Sequence, residues 1–509
     1  MAPSASVTKL LSTIRIGSAP LMEAEACLSN FESLSEEGKE AARPSTIEKV
    51  FPLVFGDITA IESSASFEEL KQKPWSTNCW FSPRAILTPA SAEQVSSILA
   101  LVKFLGATFS VQGGGHHHNP GFTSNEGGVV IALSQLNKIT ISEDKTTAAI
   151  GPGLTWLDVY EALDPYGLTV TGGRVPKVGV PGLLLGGGLS FQNSEHGLSC
   201  AGVVDYEIVL SDSTIVHANA TENTNLFWAL KGGHANFGIV TTFTMATVSN
   251  KVWAEARLYS PTQNAELIEA LMKYHEEIEK NDKATLIFSA TSQVTALVFF
   301  YTIPVENPEV FNCYYSIPFM GKIVEPGCRT MYQVMRALEN LMQPGTLSHK
   351  MRTMTSLPDL EMYKAAQESW ENQVLALEAA GINHVYLTMV FQPIASSAIK
   401  ACDVKGGNPL GLKAQNHNWF LILADYKNAD DEETIIKSVR TIVDRAEEVS
   451  KKNGTYLPFK YANYSSRDQN ALASYGAENL ARLREIALKY DAEEIFQRLQ
   501  NGGWLVSKA

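Results

Sequence analysis

The chain has 509 residues, of which 45% are hydrophobic and 19% charged, the usage of a globular protein with more than one core. Its 41 Lys and Arg against 54 Asp and Glu residues give a net charge of −13 with no basic run, so we expect no nucleic-acid partner. No apolar stretch is long enough for a membrane span or a signal peptide, which favours a soluble, intracellular protein that does not bind membranes.

A helix and a strand lead into the first glycine-rich loop. Ser91 and Gln94 form a capping-box pattern ahead of apolar residues at helical spacing, and residues 108–111 predict a short strand. Residues 112–121 follow directly and contain three consecutive glycines and then three histidines. Consecutive glycines let the backbone expose its N–H groups, so this loop indicates a binding site for an anionic ligand.

Further short strands and a second glycine cluster follow within the same α+β unit. We predict a helix over residues 155–163, and strands at 129–133, 147–150, 169–173, 206–210 and 239–243. The second cluster, residues 178–190, again leaves backbone bare. One glycine cluster alone is typical of a turn, whereas two within one compact stretch indicate a nucleotide cofactor.

Two other kinds of site fit these loops less well. A dinucleotide-binding βαβ unit needs G-x-G-x-x-G at the start of a helix, and neither cluster has that spacing. Consecutive side chains point in different directions, so His116, His117 and His118 are badly placed to share one metal ion. We therefore predict no metal site.

The order of these motifs resembles a known flavoprotein family. The Gly-Gly-Gly-His loop, residues 150–153, the cluster at 179–188, residues 227–240 and the element Tyr461-Ala462-Asn463-Tyr464 are similar to PCMH-type FAD-binding proteins. They most resemble the berberine bridge enzyme-like branch of the vanillyl-alcohol oxidase superfamily, as found in fungal natural-product oxidation. The resemblance implies a two-domain α+β fold, with an inserted α+β substrate domain made of an antiparallel sheet covered by helices.

The resemblance also assigns roles in cofactor binding. It implies one covalent bond between His116 and the 8α-methyl carbon of FAD, because Val175 stands where many relatives carry a second, cysteinyl link. Val178 stands where a small residue in relatives leaves room for dioxygen, and Gln112 replaces an arginine that is usual in the family. The implied cofactor-binding residues are His116, Gly113, Gly114, Gly115, His117, Gly121, Gly153, Val175, Val178, Gly179, Gly182, Gly186, Gly187, Gly188, Gly197, Gly238, Val240 and Asn463.

The sequence character changes after residue 250. We predict an N-terminal helical arm (1–74), an FAD-binding domain (75–250), a substrate domain (251–456) and a C-terminal return to the FAD-binding domain (457–509). Within the substrate domain we predict strands at 285–289, 296–301, 385–391 and 419–423, and apolar spacing predicts a helix over 432–449.

The catalytic candidates come from this second half. The resemblance makes Tyr461 the candidate base, although an ordinary packed aromatic residue is the alternative interpretation. Gln392 is either a polar residue of the pocket or a solvated strand end, and Asp425 follows the strand on which several relatives carry a carboxylate or amide. The apolar residues of that strand favour a hydrophobic substrate over a sugar.

Two functions remain open at this point. The first is an oxidase that transfers hydride from a small molecule to N5 of covalently bound FAD, with dioxygen as acceptor and hydrogen peroxide as product. The second is a flavin-containing cyclase or pericyclase, because some relatives couple oxidation to ring closure. Cys27 and Cys79 stand where secreted relatives often carry a disulfide, and an intracellular location would leave both reduced.

Overall fold

A computed structural model describes residues 4–12, 14, 18–339 and 346–509. Within this part of the chain, helices and three β-sheets alternate in an α+β arrangement, as the sequence predicts. The α-helices are α1 (Ala5–Ser12), α2 (Ser18–Glu32), α3 (Glu36–Phe55), α4 (Phe67–Lys71), α5 (Ala92–Leu105), α6 (Trp156–Leu163), α7 (Val180–Leu185), α8 (Asn193–His196), α9 (Thr224–Leu230), α10 (Asn264–Ile278), α11 (Asn312–Tyr315), α12 (Met331–Leu338), α13 (Leu360–Ala379), α14 (Ser396–Val404), α15 (Glu432–Lys452), α16 (Ala477–Tyr490) and α17 (Ile495–Arg498).

The strands fall into three groups along the chain. They are β1 (Thr59–Ala60), β2 (Ala85–Leu87), β3 (Phe109–Gln112), β4 (Val129–Ala132), β5 (Ile139–Ile141), β6 (Thr147–Ile150), β7 (Leu168–Val170), β8 (Val203–Val209), β9 (Ile215–Asn219), β10 (Ile239–Ser249), β11 (Lys251–Tyr259), β12 (Ala284–Ala290), β13 (Thr295–Tyr301), β14 (Gly321–Thr330), β15 (Ser348–Ser356), β16 (Val385–Ile394), β17 (His417–Tyr426) and β18 (Tyr456–Leu457).

The first sheet supports the first glycine loop. Its order is β1-β2-β4-β3, and β2, β4 and β3 run parallel. The predicted N-terminal arm is packed against this part of the molecule, because Val7, Leu28 and Val50 share one apolar core with Leu99 and Ile131. Parallel strands are covered on both faces, which explains why β2 and β4 are apolar without alternation.

The second sheet has the order β5-β6-β10-β8-β9, and β7 also pairs with β10. Strand β10 is its long central member, and Asn250 alone separates it from β11, the first strand of the third sheet. The chain thus passes from one sheet to the next through a single residue. The proposed division at residue 250 lies at this point, and the domain boundaries stay a prediction.

The third sheet is antiparallel, with the order β14-β11-β13-β12-β16-β17-β15-β18. Phe391 of β16 and Phe420 and Ile422 of β17 pack into the core under the covering helices α10, α13 and α15. Because successive side chains alternate across a strand, the neighbouring residues of β16 and β17 face the other side of the sheet. That other face forms one wall of the cavity described below.

The main differences from the predicted elements lie at strand ends. Strand β7 covers only Leu168–Val170, whereas β10 and β17 extend beyond their predicted bounds. Strand β15 was not predicted, and its sequence mixes basic, polar and apolar residues without a clean period of two. Tertiary pairing with β17 over nine residue pairs, rather than local pattern, holds β15 in the sheet.

Two further observations concern the cysteines and the hydropathy of the helices. All six cysteines are free, so Cys27 and Cys79 are not paired with each other. Among the described helices, none combines the length and the hydropathy that crossing a membrane requires.

Candidate active site

One large cavity lies between the two glycine clusters and the third sheet. Its volume is about 770 Å³, within the usual range for small-molecule sites. Its lining includes Gly114 and Gly179 on one side, and Val390 of β16 and Leu423 of β17 on the other. The cavity therefore joins the predicted cofactor region to the predicted substrate region.

The two glycine clusters meet at the cavity through their backbones. A Cβ atom on Gly114 would lie 2.5 Å from the Cα atom of Gly179, and one on Gly113 would lie 2.3 Å from the side chain of Pro181. Gly182, on helix α7, instead has no heavy atom within 4 Å of its Cβ position and lines the cavity. The clusters thus leave one backbone surface bare, which suits a flat ligand at close range.

Three histidines place unpartnered ring nitrogens at this cavity. The Nε2 atoms of His116, His117 and His234 are buried and lack a hydrogen-bond partner among the described residues. Burial lowers the pKa of His116 from 6.5 to about 3, and nearby His349 acts in the same direction. A neutral imidazole at His116 keeps a lone pair available for bonding.

These features fit FAD. Buried polar atoms without partners are uncommon in folded proteins, and three of them around one cavity suit a ligand that offers hydrogen-bonding atoms. FAD offers them along its whole length, and its flat ring matches the bare glycine surface. On these two observations, Gly113 to Gly115, His116, His117, Gly179 and Gly182 are the residues that would hold it.

The remaining predicted cofactor residues divide into two sets. Val175, Val178, Gly238, Val240 and Asn463 line the cavity. A second set does not contribute to the lining among the described residues, and direct cofactor contact by these residues stays a prediction. This set comprises Gly121, Gly153, Gly186, Gly187, Gly188 and Gly197.

Close backbone packing explains the second set. A Cβ on Gly186 would lie 2.3 Å from the side-chain oxygen of Asn463, and one on Gly153 would lie 2.4 Å from the Leu133 carbonyl oxygen. Gly188 has a φ of +81°, which favours glycine at that turn. These glycines support the cavity wall from behind.

A short segment that we call the strap, residues 74–77, crosses from the glycine loop to β15. The Trp75 ring stacks between those of His116 and His349, with centroid distances of 4.1 and 3.4 Å. The Trp75 amide donates a hydrogen bond to the Gly115 carbonyl at 3.0 Å, and the His349 amide donates one to Ser76 Oγ at 2.8 Å. The strap therefore fixes the position of His116 relative to the third sheet.

Tyr461 is buried at the substrate side of the cavity. Its hydroxyl accepts a hydrogen bond from Asn463 Nδ2 at 2.9 Å, and its ring lies against Trp419 with centroids 4.5 Å apart. Burial raises the pKa of Tyr461 above its ordinary value, while Asn463 and the charge of Arg174 act in the opposite direction. The structure therefore brings together the predicted base and two groups that favour its ionised form.

Gln392 belongs to a buried hydrogen-bonded cluster, which decides against a solvated strand end. Its side-chain oxygen accepts hydrogen bonds from Arg174 Nη2 and, at 3.2 Å, from the Tyr464 hydroxyl. The same Arg174 nitrogen also donates to the Tyr464 hydroxyl at 3.2 Å. We call these three residues the arginine cluster. Arg174 and Gln392 are both more than nine-tenths buried.

Asp425 forms a second polar group at the cavity. Its carboxylate bonds to His349 Nδ1 at 2.7 Å, and both side chains are buried. Leu421, Leu423 and Asp425 line the cavity because alternate residues of β17 point to that face. The expected apolar wall is thus present, and the carboxylate lies at its end.

Two further observations concern Gln112 and the arrangement of possible metal ligands. Gln112 is buried, and its amide donates to the Thr123 carbonyl at 3.2 Å instead of lining the cavity. Across the described residues, no group of three or more His, Cys, Asp or Glu side chains is arranged to hold a metal ion.

Sequence reasoning missed Arg174, His234, His349 and Trp75 as site residues. Arg174 stands directly before Val175, within the quoted motif, but the chain itself does not reveal that its side chain is buried. His349 had no signal, because its strand was not predicted. The one signal in the sequence is an arginine directly beside a predicted cofactor position.

Comparisons with known proteins agree with this geometry. Residues 83–219 match the family model described as an FAD binding domain. An FAD-dependent monooxygenase of Arthrobotrys oligospora is 36% identical, over 90% of this chain and 88% of that protein.

Two solved structures share the fold. The berberine bridge enzyme-like protein 1 of Physcomitrella patens has a TM-score of 0.73 at 18% identity, covering 88% of this chain and 96% of that one. Glucooligosaccharide oxidase of Acremonium strictum, described with a 6-S-cysteinyl, 8α-N1-histidyl FAD, has a TM-score of 0.70 at 18% identity, covering 86% and 95%. The chain is an FAD-dependent oxidoreductase that belongs to the same family as the fungal FAD-dependent monooxygenases and has the PCMH-type fold of berberine bridge enzyme-like flavoproteins.

Proposed function

We propose that this protein is an oxidase that removes hydride from a small, largely apolar molecule and carries FAD on a single bond to His116. The observation that carries the proposal is one continuous cavity. The buried, unpartnered Nε2 atom of His116 lies at one part of its lining, and the hydroxyl-bearing Tyr461 lies at another. Bound FAD supplies the chemistry by accepting hydride at N5 and passing two electrons to dioxygen, which gives hydrogen peroxide.

His116 is the proposed tether because of its surroundings. Burial and the strap hold its ring in one orientation, and its lowered pKa keeps it neutral, as a nucleophile must be. Val175 lines the same cavity and has no sulfur, so a second link of the cysteinyl kind has no donor at that position. The glucooligosaccharide oxidase named above has both links by its description, which is the contrast that this chain offers.

Tyr461 is the proposed base that takes the substrate proton. Its hydroxyl oxygen lies at the cavity, and the Asn463 amide fixes the direction of its lone pairs. Burial raises the pKa of Tyr461, and the Asn463 amide and the charge of Arg174 offset part of the cost of forming the ionised state that a base needs. Removal of the proton by Tyr461 would accompany removal of hydride from the adjacent carbon.

The cavity wall defines the rest of the substrate site. Val390, Leu421 and Leu423 present apolar side chains from neighbouring strands β16 and β17. Such a wall excludes water and favours an apolar ring or chain over a sugar. Val178, at the edge of the second glycine cluster, leaves space for dioxygen to approach.

The tether is tested without any substrate. Acid-precipitated wild-type protein is expected to keep its yellow colour and to show the mass of one added FAD, whereas His116→Ala is expected to release all FAD into the supernatant. His118→Ala is the matched control, because His118 does not contribute to the lining within the described residues. Retention of covalent FAD by His116→Ala contradicts the assignment.

Oxidase activity is tested by following the reoxidation of reduced enzyme. After anaerobic photoreduction, the oxidase proposal expects rapid return of the flavin absorbance on mixing with dioxygen, with one hydrogen peroxide formed per flavin.

Monooxygenation is a second candidate function, because the fungal relative described above is an FAD-dependent monooxygenase. Isotope-labelled dioxygen separates the two candidates, because a monooxygenase transfers labelled oxygen to product and an oxidase does not. A pure cyclase would leave the flavin spectrum unchanged when its substrate is added anaerobically.

A further inference from the structure

Arg174 is a buried cation whose hydrogen-bond partners are all neutral. Its side chain is held by Gln392 and Tyr464, and only 9% of the residue is exposed. It forms no ion pair with any carboxylate of the described residues. An isolated buried charge costs several kcal/mol, so such a charge is normally paired.

The molecule itself shows the usual solution at another buried arginine. Arg257 is 7% exposed, and its Nε and Nη2 atoms donate to the two carboxylate oxygens of Glu255 at 2.7 and 3.1 Å. Glu255 is fully buried and supplies the missing negative charge. Arg174 has the same burial as Arg257 but lacks such a partner in the described part of the chain.

The position of Arg174 shows where a partner would come from. The residue lines the cavity, and among the described lining residues Asp425 is the one carboxylate that could pair with it. That carboxylate is already bonded to His349. Both hydrogen bonds that Arg174 donates to described residues come from Nη2. The N–H groups on Nε and Nη1 have no partner among those residues and are available to a ligand.

The neighbours of Arg174 assign it to the substrate side. Gln392 belongs to β16, whose cavity-facing residues form the substrate wall, and Tyr464 follows the proposed base Tyr461 by three positions. These two side chains hold the guanidinium through Nη2, which leaves the N–H groups on Nε and Nη1 for another partner. Because Arg174 lines the cavity, a ligand that reached these N–H groups would lie beside the apolar residues of the sheet that line the same cavity.

We propose that Arg174 binds an oxygen anion of the substrate, so that the substrate class is apolar molecules with an acidic hydroxyl or a carboxylate: ionised phenols, enolates or aryl carboxylates. This inference rests on the proposed function, because it names the substrate class of the same cavity. Arg174 supplies the charge, Gln392 and Tyr464 fix its orientation, and the apolar wall receives the ring. Charge-assisted hydrogen bonds of this kind are the strong ones in proteins.

The test uses 4-(trifluoromethyl)phenol and the wild-type holoenzyme. Fluorine NMR distinguishes the phenol from its phenolate by chemical shift and needs no turnover. At a pH below the pKa of the free phenol, the bound probe is expected to show the phenolate shift. The methyl ether, 4-(trifluoromethyl)anisole, cannot ionise and is expected to bind about 10- to 100-fold more weakly, the range for one hydrogen bond to a charged group.

Variants of Arg174 complete the test. Arg174→Gln is expected to lose the phenolate shift and to bind the phenol about 10- to 100-fold more weakly, while Arg174→Lys retains part of both. Arg445→Gln is the matched control, since Arg445 lies on the surface and pairs with Glu448 at 2.8 Å. Benzoate in competition separates the two sources of the anion: stronger binding than the phenol assigns carboxylate substrates, and weaker binding assigns phenols or enols.

Four results overturn the proposal. They are equal binding of phenol and anisole by wild type, absence of binding by both phenol and benzoate, unchanged probe binding in Arg174→Gln, and a change in Arg174→Gln confined to the flavin reduction potential. The comparison of phenol with anisole needs no variant, so it decides the question even if Arg174→Gln does not fold. Failure of the His116 tether leaves these binding results unaffected, which keeps the two proposals separable.

Discussion

The two sides of the cavity are built in different ways. The cofactor side consists mostly of backbone, where Gly114 and Gly179 touch through main-chain atoms. The substrate side consists of side chains from distant parts of the chain, such as Arg174, Gln392 and Tyr464. Where the two backbones touch, as at Gly114 and Gly179, there is no room for an added atom, whereas a side-chain surface can change its chemistry one residue at a time. The comparison explains how one cofactor site can serve many substrates.

The largest expected effect is on the rate of flavin reduction and comes from a substitution on the substrate side of the cavity. Tyr461→Phe removes only the hydroxyl that Asn463 orients and is expected to slow flavin reduction by an accepted substrate about 10²- to 10⁴-fold, the usual contribution of a general base. Anaerobic stopped-flow absorbance measures this rate. In wild type the rate is expected to rise with pH towards the raised pKa of Tyr461, because the ionised form is the base.

Loss of this pH dependence in Tyr461→Phe separates a base from a packing residue. Trp419→Phe, which changes the ring beside Tyr461, is the control and is expected to keep the pH dependence. A Tyr461→Phe enzyme with unchanged rate and pH profile contradicts the role of base.

The next effect tests the cofactor side. Gly179→Ala places a methyl group 2.4 Å from the Gly114 amide nitrogen and is expected to lower the free energy of unfolding by about 1–3 kcal/mol, as overpacking does. Gly182→Ala is the matched control, because its Cβ position is open. It is expected to leave apoprotein stability nearly unchanged and to weaken FAD binding, since the methyl group would occupy the cavity. Thermal unfolding and FAD titration measure both quantities.

The smallest effect concerns acid stability of the cofactor side. Burial lowers the pKa of His117 from 6.5 to about 3. Between these values the unfolded chain binds a proton that the folded chain does not, so stability falls as the pH drops through this window. His117→Gln is expected to reduce the slope of unfolding free energy against pH by up to about 1.4 kcal/mol per unit.

Chemical denaturation of apoprotein at pH 7, 5 and 4 measures this slope. His217→Gln is the control, because the hydrogen bond to Asp205 raises the pKa of His217, so this half-exposed histidine is protonated in both states at pH 5 and 4. An identical slope in wild type and His117→Gln would show that His117 titrates alike in both states.

The same contrast explains what could be predicted from sequence. The glycine clusters and His116 are contiguous in the chain, so their role follows from local composition and from family resemblance. Short strands between glycine breaks are also local features, and the structure contains β6 with the predicted bounds. The arginine cluster joins residues 218 and 72 positions apart, and only the folded sheet brings them together. His349 was missed for the same reason, because pairing with β17 creates its strand.

Gly188 and Gly197 show a further limit of pattern reading. Both adopt positive φ and are close in sequence to residues that line the cavity, yet neither of them lines it in the described structure. The sequence alone does not distinguish a glycine that a turn requires from a glycine that contacts a ligand. The atoms around the position of a Cβ in the folded structure distinguish the two.

The strap has a consequence for biogenesis. Trp75 lies between His116 and a residue of the third sheet, so His116 takes up its final position only after that sheet has formed and docked. The covalent bond between His116 and FAD would then form as the last step of assembly. Only fully assembled molecules would carry covalently bound FAD. The covalently labelled fraction of a preparation would therefore count correctly assembled chains, and substitutions on β15, far from the cofactor loop in sequence, would lower that count.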